Sequence, residues 1–161
     1  MDNGVFLLLG SNLGNREENL LYALNSIQHI GMVVASSAIY QTKAWGNTLQ
    51  PDFLNQVVQI AYDKSPHQLL LEIHTLENEM GRLRSEKWGP RIIDIDILFF
   101  GQRIINEENL IIPHSGIAMR RFTLLPLSEI APEFIHPVLN KNCNQLLKEC
   151  PDTSYVELYQ K

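Results

Sequence analysis

Two aspartates separated by a single residue stand in an otherwise apolar segment, and they are the residues best suited to chemistry. Residues 92–100 consist only of Ile, Leu and Phe apart from Asp94 and Asp96. Side chains alternate along a strand, so both carboxylates are expected on one face, about 6.6 Å apart along the chain. A buried carboxylate costs several kcal/mol unless it is paired or bound to a metal, and carboxylate oxygens suit a hard divalent cation. The alternatives are two solvated aspartates at a strand end or sheet edge, or ion pairs with nearby arginines.

A basic segment precedes this strand directly. Arg82, Arg84, Lys87 and Arg91 place four of the 13 Lys and Arg residues within ten positions. Arginines bind phosphate oxygens in a bidentate manner, and acids that hold Mg²⁺ beside them are typical of sites for metal-bound nucleotides. Phosphoryl-type transfer needs mainly positioning and charge neutralisation, which such a site supplies. Taken alone, a run of charges is more often a solvated loop.

The elements that must position these residues follow from the hydrophobic pattern. Strands are predicted at Val5–Leu9, about Met32–Tyr40, Phe53–Tyr62 and Ile92–Phe100, with a short one within Asn109–Pro113. Helices are predicted from Arg16 to about Ile30, from Pro66 to Met80, around Phe122–Glu129 and at Asn142–Glu149. Asn15 and Ser65 are predicted to cap the first two helices. The order strand, helix, two strands, helix, strand predicts an α+β, ferredoxin-like sandwich: a βαββαβ core with helices on one face of a mainly antiparallel sheet.

Composition narrows the classes of function. The chain has 161 residues and a net charge of −5, with 45% hydrophobic residues, so a single domain over residues 1–161 is expected. An acidic protein with small basic clusters suits a small anionic ligand better than nucleic acid or an anionic membrane. No signal peptide or membrane-spanning segment is predicted, and Cys143 and Cys150 lie too far apart on one helix for a disulfide, so a cytoplasmic protein is expected.

The sequence resembles the 6-hydroxymethyl-7,8-dihydropterin pyrophosphokinases of folate biosynthesis along nearly its whole length. The most specific match is Trp-Gly-Pro-Arg-Ile-Ile-Asp-Ile-Asp over residues 88–96, in order with Gln-Pro-Asp-Phe-Leu-Asn over 50–55. Further matches are Gly10-Ser11-Asn12-Leu13, Ser37, Tyr40, Thr42, Glu77, Gly81-Arg82-Leu83-Arg84, Pro113-His114, Arg120, Phe122 and Leu124-Leu125-Pro126-Leu127.

The resemblance implies a monomeric enzyme that transfers diphosphate from ATP to the hydroxymethyl group of 6-hydroxymethyl-7,8-dihydropterin and releases AMP. Asp94 and Asp96 would bind two Mg²⁺ ions, and Arg82 and Arg91 would be catalytic. The nucleotide would contact Glu77, Arg84, Trp88, the backbone near Ile97, His114 and Arg120. The pterin ring would stack between Phe53 and Phe122, with Thr42 and Asn55 hydrogen-bonding its polar edge. On residue types alone, Phe53 more often belongs to a core, His114 is more often a packed histidine, Trp88 could brace a turn and Glu77 could be a solvated helix residue.

The chain departs from the family pattern at several positions, which bear on substrate affinity rather than on the metal pair: Lys43, Trp45, His74, Asn109 and Ser115. Two other functions compete. A ferredoxin-like module that binds a small ligand without chemistry needs no acidic pair in an apolar strand. A different Mg²⁺-dependent nucleotide enzyme would lack the Phe53 and Asn55 arrangement expected to hold a pterin.

Overall fold

The computed structural model describes residues 2–43, 51–81 and 92–160. The strands are β1 Asp2–Ser11, β2 Met32–Ser36, β3 Tyr40–Thr42, β4 Phe53–Tyr62, β5 Asp94–Phe100, β6 Ile105–Asn106, β7 Ile111–Ile112 and β8 Val156–Leu158. The helices are α1 Arg16–Ile27, α2 Pro66–Glu79, α3 Arg121–Ile130 and α4 Cys143–Glu149, with a 3₁₀ turn at Ile117–Met119.

The main sheet runs β5-β1-β4-β3-β8, and β2 also pairs with β4. Every strand pair described in it is antiparallel. The strands β1, β2, β4 and β5 with the helices α1 and α2 form the predicted βαββαβ core, which confirms the ferredoxin-like class. In this order β5, which carries the two aspartates, is an edge strand.

Both faces of the sheet are covered, which explains the continuous apolar run of β1. Val5, Leu7 and Leu9 belong to the core that includes the buried residues of α1 and α2. Phe6 and Leu8 belong to a second core with Leu127 and other residues of α3 and α4. The predicted layer of helices on one face is formed by α1 and α2, and the C-terminal helices add a second layer on the other face.

The helix starts follow the predicted caps. The Asn15 side chain accepts a hydrogen bond from the Glu18 backbone N–H at 3.1 Å, and Ser65 accepts one from Gln68 at 3.1 Å. Each such cap satisfies an otherwise unpaired N–H and contributes about 1 kcal/mol.

The chain departs from the predicted strand pattern in three places, one of which is the short strand β6, which was not predicted and pairs with β7. The single strand predicted at about 32–40 is split into β2 and β3, because the Ser37 hydroxyl accepts the hydrogen bond of the Val57 N–H at 3.0 Å in place of a backbone carbonyl. The strand β8 was not predicted; its three residues pair with β3. Among the described residues, no helix has the length and apolar character needed to cross a membrane.

Candidate active site

The two aspartates lie at the start of β5 on one face of the sheet. Both are half-buried, and the Asp96 side chain retains 33% of its exposure, whereas the intervening Ile95 is buried. The desolvation penalty of this pair is therefore smaller than for two fully buried carboxylates. The position on an edge strand matches one alternative from the sequence, in which the two aspartates lie at a sheet edge. What distinguishes the pair from ordinary surface aspartates is the set of groups that surrounds it.

A cavity of about 340 Å³ opens beside the aspartates, between the edge of the sheet and α2. It collects residues that are far apart in sequence: Leu70, His74, Glu77, Asp94, Ile95, Asp96, Ile97, Glu108, Asn109, Leu110, Ile111, His114 and Ser115. Five residues predicted for the metal and nucleotide thus line one space, namely Glu77, Asp94, Asp96, Ile97 and His114. Three positions that depart from the family pattern, His74, Asn109 and Ser115, line it as well.

Glu77 has a structural contact at this cavity. Its side chain is 3% exposed, and Oε2 accepts a hydrogen bond from the backbone N–H of Ile95 at 2.9 Å. Among the described residues no strand pairs with β5 on that side, and the Glu77 carboxylate accepts the hydrogen bond that a neighbouring strand would otherwise accept. Glu77 therefore fixes the backbone between the two aspartates.

His114 lies next to the acidic pair in the neutral form. Burial lowers its pKa, the nearby Arg120 lowers it further, and Asp94 opposes the shift. Nδ1 accepts a hydrogen bond from the Gly116 N–H at 3.0 Å, so Nε2 carries the proton. Nε2 lies 3.9 Å from Asp96 Oδ2, which places a neutral donor near the carboxylate rather than an ion pair.

One row of the sheet connects the acidic pair to the predicted pterin residues. Gly10 in β1 is the register partner of Asn55 in β4 on one side and of Asp94 in β5 on the other. Paired residues in adjacent strands share a face, so Asn55 and Asp94 project from the same face about 10 Å apart. The residue between them on this face is Gly10, whose side chain is a single hydrogen atom. A Cβ at Gly10 would lie 2.9 Å from Asn55 Oδ1 and 3.6 Å from Phe53 Cδ1. The glycine is needed for this close approach.

Asn55 is unusual among the buried polar side chains. It is 3% exposed, and within the described part of the chain its Nδ2 has no hydrogen-bond partner. Thr42, which is 6% exposed, is the register partner of Phe53, so Thr42, Phe53 and Asn55 share one face. A buried N–H₂ donor without a partner is ready to bind an acceptor atom of a ligand.

Arg120 and Phe122 lie at the start of α3, which packs on the same face. The guanidinium carbon of Arg120 is 5.9 Å from the centroid of the Phe122 ring, within the range of a cation–π contact. Arg120 does not line the cavity itself, but it follows Ser115 and Gly116 closely in the chain.

Several predicted residues lie outside the described residues: Arg82, Arg84, Trp88, Arg91 and Trp45. From the sequence, Gly10 is only part of a motif shared with the resembled family, and Gly116 carries no signal. Both glycines matter because they lack a side chain, and this becomes apparent only from the atoms that approach them in the folded structure.

Comparisons with known proteins identify the family. Residues 6–132 match the family described as 7,8-dihydro-6-hydroxymethylpterin-pyrophosphokinase (HPPK). A 2-amino-4-hydroxy-6-hydroxymethyldihydropteridine pyrophosphokinase of Aquifex aeolicus is 39% identical over 145 residues, which cover 90% of this chain and 91% of the relative. The protein of the same name from Haemophilus influenzae is 38% identical over 155 residues, which cover 95% of this chain and 96% of the relative.

Other relatives are longer proteins. The folic acid synthesis protein FOL1 of Dictyostelium discoideum is 38% identical over 94% of this chain, which spans 23% of that protein. A crystal structure of Plasmodium falciparum HPPK-DHPS with pterin and p-hydroxybenzoate has a TM-score of 0.73 at 20% identity. The match covers 92% of this chain and 43% of the Plasmodium falciparum chain, and it shows that the two share a fold. With the family match and the relatives covered nearly end to end, the chain belongs to the 7,8-dihydro-6-hydroxymethylpterin-pyrophosphokinase family.

Proposed function

We propose that this chain transfers diphosphate from ATP to the hydroxymethyl group of 6-hydroxymethyl-7,8-dihydropterin and releases AMP, as a step of folate biosynthesis. The observation that carries the proposal is the row Asn55–Gly10–Asp94, which sets an amide suited to a heterocycle and the acidic pair at two ends of one strip of sheet. A two-ring heterocycle with a hydroxymethyl arm has about the length of this strip. The family and the names of the relatives point to the same reaction.

The pterin would lie on the strip over Gly10. Its polar edge offers ring nitrogen and oxygen acceptors to the unpaired Asn55 Nδ2 and to Thr42. Phe53 and Phe122 provide aromatic faces, and offset stacking on such faces contributes about 0.5–1.5 kcal/mol beyond burial. In this pose the hydroxymethyl arm points toward Asp94.

The acidic pair fits magnesium. Mg²⁺ is usually held by one or two carboxylates together with substrate phosphates and water, and two half-buried carboxylates beside an open cavity supply that number. Within the described ranges no group of three or more His, Cys, Asp and Glu side chains is arranged to hold a metal alone, so phosphate oxygens would complete the coordination. When bound, two Mg²⁺ ions would neutralise phosphate charge and draw the acceptor hydroxyl toward the phosphorus.

The nucleotide would occupy the cavity at the sheet edge. Because no strand of the described residues pairs with the outer side of β5, the backbone near Ile97 would be available to hydrogen-bond the base, and Glu77 is engaged in holding the backbone at Ile95. His114 offers its Nε2 proton and Arg120 its guanidinium to the triphosphate. The family resemblance adds Arg84 and Trp88 to this side.

The reaction joins the hydroxymethyl oxygen to the β-phosphorus and breaks the bond between that phosphorus and the oxygen bridging it to the α-phosphate. The hydroxyl loses its proton, and AMP leaves with the bridging oxygen. The row across the sheet and the cavity beside it hold both substrates in line, and such positioning can supply roughly 7–11 kcal/mol of the barrier reduction. Arg82 and Arg91 would stabilise the charge that develops on the transferred group.

The test is a product analysis with purified protein, Mg-ATP and 6-hydroxymethyl-7,8-dihydropterin. AMP formation that depends on both substrates is expected. ADP or pyrophosphate as product would indicate a different nucleotide enzyme, and no turnover with retained ligand binding would indicate a binding module. Arg82→Ala should reduce kcat more than ATP affinity, whereas an equal loss of both would make Arg82 a simple binding contact.

Three further expectations accompany this proposal. A single domain, a monomer without nucleic-acid or membrane partners and a cytoplasmic location stay predictions. The two cysteines of the chain are free thiols, which is consistent with a reducing compartment.

A further inference from the structure

Gly116 lies directly against the Arg120 side chain. A Cβ at this position would be 2.9 Å from Arg120 Cζ, 2.9 Å from Nε and 3.2 Å from Cδ. Distances below 3.0 Å are shorter than real Cβ contacts, so the guanidinium occupies space that exists only because residue 116 has no side chain.

The backbone itself does not call for glycine here. Gly116 has φ −93° and ψ 0°, a conformation open to ordinary residues at turns. Its N–H donates to His114 Nδ1 at 3.0 Å, and any non-proline residue would keep this bond. The requirement for glycine is therefore one of space, and that space is filled by a single neighbouring side chain.

We propose that Gly116 is a positioning residue for the nucleotide side of the site. Its missing side chain seats the Arg120 guanidinium against the backbone at position 116, beside His114 and near the Phe122 ring. This inference rests on the proposed function, in which Arg120 contacts the triphosphate of ATP.

A methyl group at position 116 should displace Arg120 without unfolding the protein. The three atoms in conflict are at the far end of a flexible side chain, which can rotate away while the backbone stays in place. The expected result of Gly116→Ala is therefore a loss of nucleotide affinity with little change in Tm.

The experiment is a double-mutant cycle on Gly116 and Arg120. The affinity of a non-hydrolysable ATP analogue with Mg²⁺ is measured by calorimetry for the wild type, Gly116→Ala, Arg120→Ala and the double variant. Arg120→Ala should weaken binding about tenfold, as expected for loss of a charge-assisted contact to phosphate, and Gly116→Ala roughly threefold to tenfold. Met119→Ala is the matched control, because Met119 lies in the 3₁₀ turn that Gly116 precedes but is 57% exposed.

In the Arg120→Ala background, Gly116→Ala should have no further effect, because the side chain it displaces is gone. In turnover assays Gly116→Ala should raise KM for ATP in the same proportion and change kcat at saturation by less than about twofold, as expected for a contact made equally in the ground state and the transition state.

The proposal is overturned if Gly116→Ala binds the analogue like the wild type, or if its effect persists undiminished without Arg120. A marked fall in the Tm of Gly116→Ala that the double variant does not restore would assign the glycine to the fold and also overturn it. If Arg120→Ala leaves affinity unchanged, both the role of Arg120 and the positioning by Gly116 are wrong. A wild type that forms no AMP instead contradicts the proposed function itself, so the two failures are distinguishable.

Discussion

Truncation of two neighbouring amide side chains of β4 should affect stability and pterin binding differently. Asn55 and Gln56 are both buried, at 3% and 8% exposure, on opposite faces of the same strand. Asn55 Nδ2 has no partner among the described residues, whereas Gln56 Nε2 donates to the Ser37 carbonyl at 2.9 Å. The variants Asn55→Ala and Gln56→Ala therefore compare an amide whose N–H₂ group has no partner among the described residues with one whose N–H₂ group is hydrogen-bonded.

The magnitudes follow from the pairing. A buried polar group without a partner costs about 1–3 kcal/mol, so removing the Asn55 amide relieves a penalty that offsets the lost packing. Asn55→Ala should change the free energy of unfolding by less than about 1 kcal/mol. Gln56→Ala leaves the Ser37 carbonyl unpaired and should cost about 1–3 kcal/mol, or a Tm decrease of roughly 2–12 °C.

Ligand binding should show the reverse order. Asn55→Ala removes the donor proposed for the pterin edge and should weaken pterin affinity about tenfold or more, whereas Gln56→Ala should leave it within about twofold. The assay is urea unfolding without ligands, together with titration of the pterin in the presence of Mg²⁺ and an ATP analogue. Equal destabilisation by the two variants, or wild-type pterin affinity in Asn55→Ala, would refute this reasoning.

Three other predictions concern charge and burial. Asp96→Ala should lower turnover on the order of 10³-fold while Tm stays equal or rises, because it would remove a proposed metal ligand and relieve repulsion with Asp94; wild-type turnover would contradict this. Burial would raise the pKa of Glu72, but hydrogen bonds from Tyr62 and Lys64 outweigh it and lower the pKa below 4.5. The ionised form of Glu72 thus stabilises the fold above about pH 4.5, and in urea unfolding the stability advantage over Glu72→Gln should shrink as the pH falls through the lowered pKa; a constant advantage would contradict it. Burial raises the pKa of the Cys143 thiol to about 12, so in a Cys150→Ser variant a thiol reagent at pH 7 should label it only as the protein unfolds, and rapid labelling would refute its burial.

The βαββαβ core could be predicted because its signals are local. The caps at Asn15 and Ser65 and the apolar run of β1 each reflect a property of a few consecutive residues. The strand β8 could not be predicted, since its three residues carry little pattern and gain their conformation by pairing with β3, more than 110 positions away in sequence. The break between β2 and β3 depends on the Ser37 hydroxyl binding Val57, which no local pattern reveals.

The candidate site divides in the same way. The shared face of Asp94 and Asp96 follows from strand alternation, and the structure brings them together with Glu77 and His114 at one cavity. The half-exposure of the pair matches the alternative of aspartates at a sheet edge, which the sequence left open because an apolar sequence around two aspartates does not tell an edge strand from a central one. The spatial roles of Gly10 and Gly116 depend on which atoms approach them from elsewhere in the fold.

The most direct test of the account is a crystal structure with an ATP analogue, the hydroxymethyl pterin and Mn²⁺ in place of Mg²⁺. Anomalous peaks are expected about 2.0–2.3 Å from carboxylate oxygens of both Asp94 and Asp96, with the pterin lying over Gly10 and its polar edge at Asn55 Nδ2. Carboxylates directed to solvent without a metal ion, while nucleotide and pterin are bound, would contradict the claim that this acidic pair holds the ions for the transfer.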